Sequence, residues 1–260
     1  MEKVRSKDGT PIAFHRQGSG PPLILVHGAG SIAKRWFHLL PSLQEDFTIF
    51  AVERSGRGES GDHQSYAIER EVEDVLAVVD INDHPVNLFG HSFGALITLE
   101  AALLTRNVSK LMLYEAPIPL PGIKVLPDEL MDDYEDLLNQ NKNEDALVMF
   151  YNRVGISSHE IILMQSTPEW PDRVASAHTI LRESRVEDQY VFKPERFNNL
   201  QVPTLLMVGS DSPPWAMAST KALHRTLPNS SILELTGQKH AAMVTAPDLF
   251  VESLIGFFKD

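Results

Sequence analysis

The feature that most constrains this chain is a serine set between two glycines, where an apolar, strand-like run passes directly into a helical one. The run is Val86-Asn87-Leu88-Phe89-Gly90-His91-Ser92-Phe93-Gly94, followed by the helical stretch Ala95 to Leu104. A G-x-S-x-G run in that context is a strained strand-to-helix turn that lifts the serine hydroxyl clear of the backbone. The glycines at 90 and 94 let strand and helix approach without Cβ clashes. Such a turn needs a buried strand on one side and a helix on the other, so the rest of the chain must supply the sheet.

It does so through short apolar runs of the kind buried parallel strands require: Leu23 to Val26, Thr48 to Val52, Val86 to Phe89, Lys110 to Tyr114, Thr204 to Val208 and Ile232 to Leu235. Asp8-Gly9, near the amino terminus, suits a hairpin turn. Ile68, Val72, Val75, Leu76 and Val79 recur at helical spacing. Thr245, Pro247 and Asp248 mark the start of a last helix, with Thr245 as its N-cap. The expectation is an α/β fold: a mostly parallel central sheet with helices on both faces. From Pro117 to about Asn199 no buried strand is legible, and Pro117, Pro119, Pro121 and Pro127 crowd the entrance. That segment is expected to be a helical cap inserted between two sheet strands, giving a core domain of 1–116 and 200–260 and a cap of 117–199.

Composition excludes several functions. With 35 acidic and 23 basic residues the formal charge is -12, which repels a phosphate backbone and argues against a nucleic-acid partner. The absence of cysteine removes disulfides, thiolate zinc sites and a cysteine nucleophile together. Met1 to Gly9 lacks the apolar core of a signal peptide, and no run approaches the ~18 apolar residues of a membrane span. A cytoplasmic protein with no membrane span is expected. The run from Asp128 to Asp136 holds six carboxylates in nine residues but lacks the spacing and glycine of a calcium loop, so a solvated helix face is expected rather than a metal site.

A serine hydroxyl at neutral pH is a poor nucleophile and needs a base, itself oriented by a carboxylate. His240, in Gly237-Gln238-Lys239-His240, stands between the run ending at Leu235 and the last helix, at the expected carboxyl edge of the sheet. Two carboxylates satisfy the chain order serine, acid, histidine: Asp211, just past the run ending at Val208, and Glu115, just past the run ending at Tyr114. Asp211 is the preferred acid, because its strand directly precedes the one carrying His240, and Glu115 is the alternative. Backbone N–H groups of Ala29 and Phe93 are the expected oxyanion hole, each such donor being worth ~3 kcal/mol. Trp36, Phe37, Phe93, Met149, Phe150, Met164 and His178 are candidates for the substrate pocket. His27 and His91 are expected to serve packing and loop hydrogen bonds. Gly28-x-Gly30-x-x-Ala33, with Glu53 about 23 positions on, also meets a dinucleotide-binding pattern. That reading, an NAD-binding oxidoreductase, leaves the serine turn, His240 and Asp211 unexplained.

Together the His27-Gly28-Ala29-Gly30 loop, the Glu53 to Ser60 segment, the G-H-S-F-G turn, V-G-S-D-S-P around Asp211 and G-Q-K-H resemble the α/β-hydrolase fold superfamily over nearly the whole chain. Two departures stand out: Glu53 replaces a common aspartate, and the usual G-x-x-D spacing is shortened to Gly209-Ser210-Asp211. Serine at 92, where dehalogenases and epoxide hydrolases of this fold carry aspartate, argues against those activities. The resemblance implies a serine hydrolase acting on an ester, thioester or lactone of a small, largely apolar substrate through an acyl-enzyme, with no metal or organic cofactor. The alternatives are a carbon-carbon bond hydrolase of the same fold and a hydrolase-fold ligand receptor that turns over slowly or not at all. Oligomeric state is left open.

Overall fold

The computed structural model describes residues 1–122 and 128–259, so Pro127 lies outside the described residues. Eight strands form one sheet: β1 Glu2–Arg5, β2 Pro11–Gly18, β3 Pro22–Val26, β4 Thr48–Val52, β5 Val86–His91, β6 Val108–Tyr114, β7 Thr204–Gly209 and β8 Ser230–Leu235. Their spatial order is β1-β2-β4-β3-β5-β6-β7-β8. The β1–β2 and β2–β4 pairs are antiparallel, and every pair from β4 onward is parallel. Gly9, at φ 91°, turns the β1–β2 hairpin, and Asp8 Oδ1 accepts the Thr10 N–H at 2.9 Å.

Helices cover both faces. On the sheet side of the chain they are α1 Leu40–Leu43, α2 Ile68–Asp80 and α3 Phe93–Leu104. Among the described residues five more, α4 Asp128–Asn139, α5 Asn143–Val154, α6 Ser158–Gln165, α7 Trp170–Ala175 and α8 His178–Gln189, are inserted between β6 and β7. The chain then returns through α9 Pro214–Thr226, α10 Ala242–Thr245 and α11 Pro247–Lys259. Two-residue alternation explains the layers: Leu23 and Leu25 of β3 pack on one side with Trp36, Phe89 and Phe250, while Ile24 and Val26 pack on the other with Val75, Leu88 and Leu96. The insertion shares the first of these cores, through Leu147, Phe150, Tyr151 and Ile180. No helix among the described residues is long and apolar enough to cross a membrane.

Thr245 departs from expectation. It belongs to the short α10, its hydroxyl donates to Gln238 Oε1 at 2.7 Å, and the chain enters α11 through Ala246. The side chain that the sequence offers as a cap is used instead to tie α10 to the loop after β8.

The insertion is fastened to the sheet by buried charge. Arg54 donates to Glu71 at 2.9 and 2.5 Å and to Glu183 at 3.1 Å, while Arg57 bonds both Glu183 and, at 2.7 Å, the Thr179 hydroxyl. Burial opposes the Arg54 charge, but the Glu183 and Glu71 carboxylates outweigh it and raise the guanidinium pKa. Glu183 lies on α8, and both arginines lie in the loop after β4, so this cluster joins the two parts of the molecule without solvent. Glu183→Gln, which neutralises the shared carboxylate while keeping its shape, is expected to destabilise the fold by about 3–5 kcal/mol, because two guanidinium groups lose a buried counter-charge. The check is the denaturant midpoint; a change below about 0.5 kcal/mol, the size of an ordinary surface substitution, would show that the cluster does not hold the insertion.

Candidate active site

Ser92 follows β5 directly and has φ 54° and ψ -127°, a conformation that L residues rarely adopt. Close packing imposes it. A Cβ on Gly90 would stand 2.2 Å from Thr98 Oγ1, and one on Gly94 would stand 2.5 Å from the His27 carbonyl oxygen. Strand, turn and helix are thus pressed together with no space for side chains at 90 and 94. Ser92 occupies the residue before α3, yet its hydroxyl makes no capping hydrogen bond, while its backbone N–H donates to Tyr114 O at 2.8 Å. The turn is held by the main chain, and the hydroxyl is not used to cap the helix.

His240 is buried in the loop between β8 and α10, and its Nδ1 lies 2.5 Å from Glu115 Oε2. The other carboxylate oxygen of Glu115 accepts from Gly209 N–H at 2.9 Å and from the Ser212 hydroxyl at 2.5 Å. Glu115 is wholly buried and, like Ser92, has a positive φ, 51°. Asp211 is not brought to His240. Its carboxylate is exposed and accepts from the Ser210 hydroxyl at 2.8 Å, and its N–H donates to Gln238 O at 3.0 Å. The physical reason is the short loop: a Cβ on Gly209 would meet Gln238 O at 2.3 Å, so the loops after β7 and β8 touch main chain to main chain and the Asp211 side chain is turned outward. The position of its strand just before the one carrying His240 favours Asp211 in the sequence; the contact belongs to Glu115, one strand nearer Ser92.

A cavity above the sheet edge is lined by Ala29, Ser92 and His240 together with Arg35, His91, Phe150, Tyr151, Val154, Ile156, Met164 and Arg173. It is narrow, about 10 Å³, room for about one water. Of the sequence candidates, Phe150 and Met164 line it. Trp36 lies beneath, fully buried against Phe89 and Phe250, and Phe37 meets His15 edge-on. Met149 lines a separate cavity within the insertion, and His178 is exposed, with Nδ1 2.9 Å from Ala175 O. The Phe93 ring lies under the Arg54 guanidinium, 5.0 Å from its centroid, so only its main chain faces the turn. Aromatic and sulfur side chains are what a core also demands, and that ambiguity explains the misplaced candidates.

Arg35, Arg173, Tyr151, Val154 and Ile156 are lining residues that the sequence did not single out. His91 bridges two of the groups. Its Nε2–H donates to His240 O at 2.9 Å, leaving Nδ1 as the acceptor facing Arg35 Nη1 at 3.4 Å. Burial, then the Arg35 charge, push the His91 pKa well below its usual value, so the ring is neutral, as this pattern requires. The Gly28–Gly30 loop leads into a single 3₁₀ turn, Ala33–Trp36, rather than an α-helix. A Cβ on Gly30 would meet Leu147 at 3.0 Å, Ile180 at 3.1 Å and Phe150 at 3.3 Å, so side chains of the insertion pack directly against this loop. Glu53, whose pKa burial raises to about 7, accepts the Ala33 N–H at 3.2 Å and braces that turn.

Known proteins share this architecture. The (E)-2-((N-methylformamido)methylene)succinate hydrolase of Acinetobacter baylyi is 22% identical over 244 residues, 90% of this chain and 89% of its own. The pimeloyl-(acyl-carrier protein) methyl ester esterase of Vibrio atlanticus is 25% identical over 260 residues, 94% of this chain and 96% of its own. The crystal structure of an alpha/beta hydrolase from Sphaerobacter thermophilus matches with a TM-score of 0.85 and 36% identity, covering 99% of this chain and 100% of its own. The sequence model of the Alpha/beta hydrolase family matches residues 23–253. That span runs from β3 into α11 and takes in the strained serine turn, the insertion and His240, and the chain belongs to the alpha/beta hydrolase family.

Proposed function

We propose that this protein is a serine hydrolase that cleaves an ester-like bond, with Ser92 as nucleophile, His240 as general base and Glu115 as the carboxylate that orients it. The observation that carries the reading is the 2.5 Å contact between His240 Nδ1 and Glu115 Oε2, within a site where Ser92 and His240 line the same cavity. A carboxylate at Nδ1 holds the proton on that nitrogen and leaves Nε2 free to take the serine proton. Glu115 is itself held in place by the Gly209 N–H and the Ser212 hydroxyl, which both donate to its Oε1. Ser92 attacks the carbonyl carbon, negative charge collects on the carbonyl oxygen, and the Ala29 and Phe93 N–H groups receive it. His240 then gives its proton to the leaving group, and water repeats the sequence on the acyl-enzyme to release the acid. The five inserted helices act as a cap over this site and set which acyl groups enter.

Ser92→Ala is expected to abolish both hydrolysis of activated esters and labelling by a fluorophosphonate, with an unchanged circular dichroism spectrum. Labelling of the wild-type protein separates an enzyme from a ligand receptor of the same fold; retention of most of the wild-type kcat in the variant would remove Ser92 from the chemistry.

The acid is tested by two near-isosteric changes. Neutralising an orienting carboxylate costs ~10⁴ in kcat in the best-studied serine protease. Glu115→Gln is expected to lose several orders of magnitude in kcat, and Asp211→Asn less than about tenfold, consistent with its exposed carboxylate. A deeper loss in Asp211→Asn would overturn the assignment.

A further inference from the structure

Among the described residues, Arg35, Arg54, Arg57 and Arg173 are buried. They fall into two pairs. Arg54 and Arg57 rest on Glu71 and Glu183. Arg35 and Arg173 face only neutral groups: Arg35 donates to Ser31 Oγ at 3.1 Å and to Met243 Sδ at 3.0 Å and faces His91 Nδ1, while Arg173 Nη1 reaches the Tyr151 hydroxyl at 3.4 Å and Met164 Sδ at 3.9 Å. The Nε of each has no hydrogen-bond partner among the described residues. These two arginines, and not the paired ones, line the cavity with Ser92 and His240.

Two guanidinium groups in one apolar space, without a counter-charge, disfavour the folded state, first through lost hydration and then through mutual repulsion. Both effects register on Arg35, whose pKa is pulled down to about 9 by burial first and the Arg173 charge second. The plainer role for a buried arginine is packing. Arg35 has some of that, since its guanidinium lies over the Trp36 ring at 5.1 Å. Among the described residues Arg173 has no such ring contact and no paired carboxylate, and it comes from the other side of the cavity: Arg35 sits in the turn after β3, Arg173 on α7 of the insertion. Resting on the reading that Ser92 attacks the substrate carbonyl, we propose that Arg35 and Arg173 together bind a carboxylate carried by the substrate, so that the natural substrate is a small carboxylated ester or amide rather than a neutral one. A planar carboxylate matches the guanidinium fork and supplies the charge that the lining lacks. Phe150 and Met164 must move aside to admit it, because the cavity of about 10 Å³ holds no more than about one water.

The test compares matched substrates and a direct binding arm. Monoethyl succinate and ethyl butanoate differ in a terminal carboxylate against a methyl group; ethanol release by the wild-type protein is expected to favour the former by at least tenfold in kcat/KM. Arg173→Gln should remove that preference by raising KM for monoethyl succinate at least tenfold with a smaller change in kcat, and Arg173→Lys should restore part of it. Calorimetric titration of Ser92→Ala with succinate, and with succinamide as the neutral counterpart, is expected to give at least tenfold tighter binding of succinate, lost when Arg173→Gln is added. Equal rates on the two esters with equal binding of the two ligands would overturn the carboxylate site while leaving the serine reaction standing. Selective succinate binding without any Ser92-dependent hydrolysis would do the reverse, and unchanged melting of Arg173→Lys guards against a folding defect.

Discussion

Two strained turns at the same level of one sheet underlie everything else in this molecule. β5 and β6 are parallel neighbours with His91 opposite Tyr114, and the next residue on each, Ser92 and Glu115, has a positive φ. The ladder runs one residue past both strands, since Ser92 N–H donates to Tyr114 O and Glu115 N–H donates to Met207 O, before the chain leaves the sheet. Each such conformation costs roughly 1–3 kcal/mol at a non-glycine residue. The strain is offset by the parallel strands on either side, buried on both faces, which allow no other exit. Local strain at this edge sets Ser92 and Glu115 side by side, with His240 arriving from the loop after β8 to meet the Glu115 carboxylate.

The electrostatics divide along the same boundary. Where the insertion meets the loop after β4, positive charge is matched by Glu71 and Glu183, and the result is a rigid fastening. Over Ser92 it is not matched. An unpaired buried charge costs several kcal/mol in lost hydration, more than packing against a ring returns. A fold retains such a cost where binding recovers it. Through His91, Arg35 also contacts the histidine loop, because the neutral His91 ring accepts on one nitrogen and donates to His240 O with the other. The proposed anion site and the histidine loop are therefore joined through one buried side chain, His91.

Much of the architecture was legible in the sequence because it is local. The β1–β2 hairpin, the parallel strands, the helical insertion and the serine turn each announce themselves through periodicity, glycine placement or a compact motif. What depends on tertiary direction was not. Asp211 and Glu115 both follow buried strands, and only the main-chain contact between Gly209 and Gln238 decides which carboxylate points inward. Arg35, two residues beyond an alanine and next to Trp36, reads in the sequence as an ordinary surface cation, and Arg173 sits in a polar stretch of a short helix. Neither carries a mark of burial. Trp36 and Met149 erred the other way, since a pocket wall and a core are built from the same side chains.

The helices of the insertion are not held equally. α8 is pinned to the sheet through Glu183, Thr179 and the paired contacts of Arg182 with Asp62 at 2.8 Å. α5 is pinned by the Tyr151 hydroxyl on Gly30 O at 2.5 Å, and α7 by the exposed Lys34–Asp172 pair at 2.6 Å. For α6, the hydrogen bonds among the described residues stay within the insertion, from its own Ser157–Glu160 capping box to Gln165 on Glu144. Met164, on that helix, is an unbranched side chain able to change shape at small cost, and it stands between the cavity and the rest of α6. The part of the wall that contacts Arg173 most loosely, at 3.9 Å, is also the part with the fewest polar ties to the sheet. Space for an acyl group is therefore most easily made on the Met164 side, beside Arg173, rather than by lifting the insertion from its buried charges.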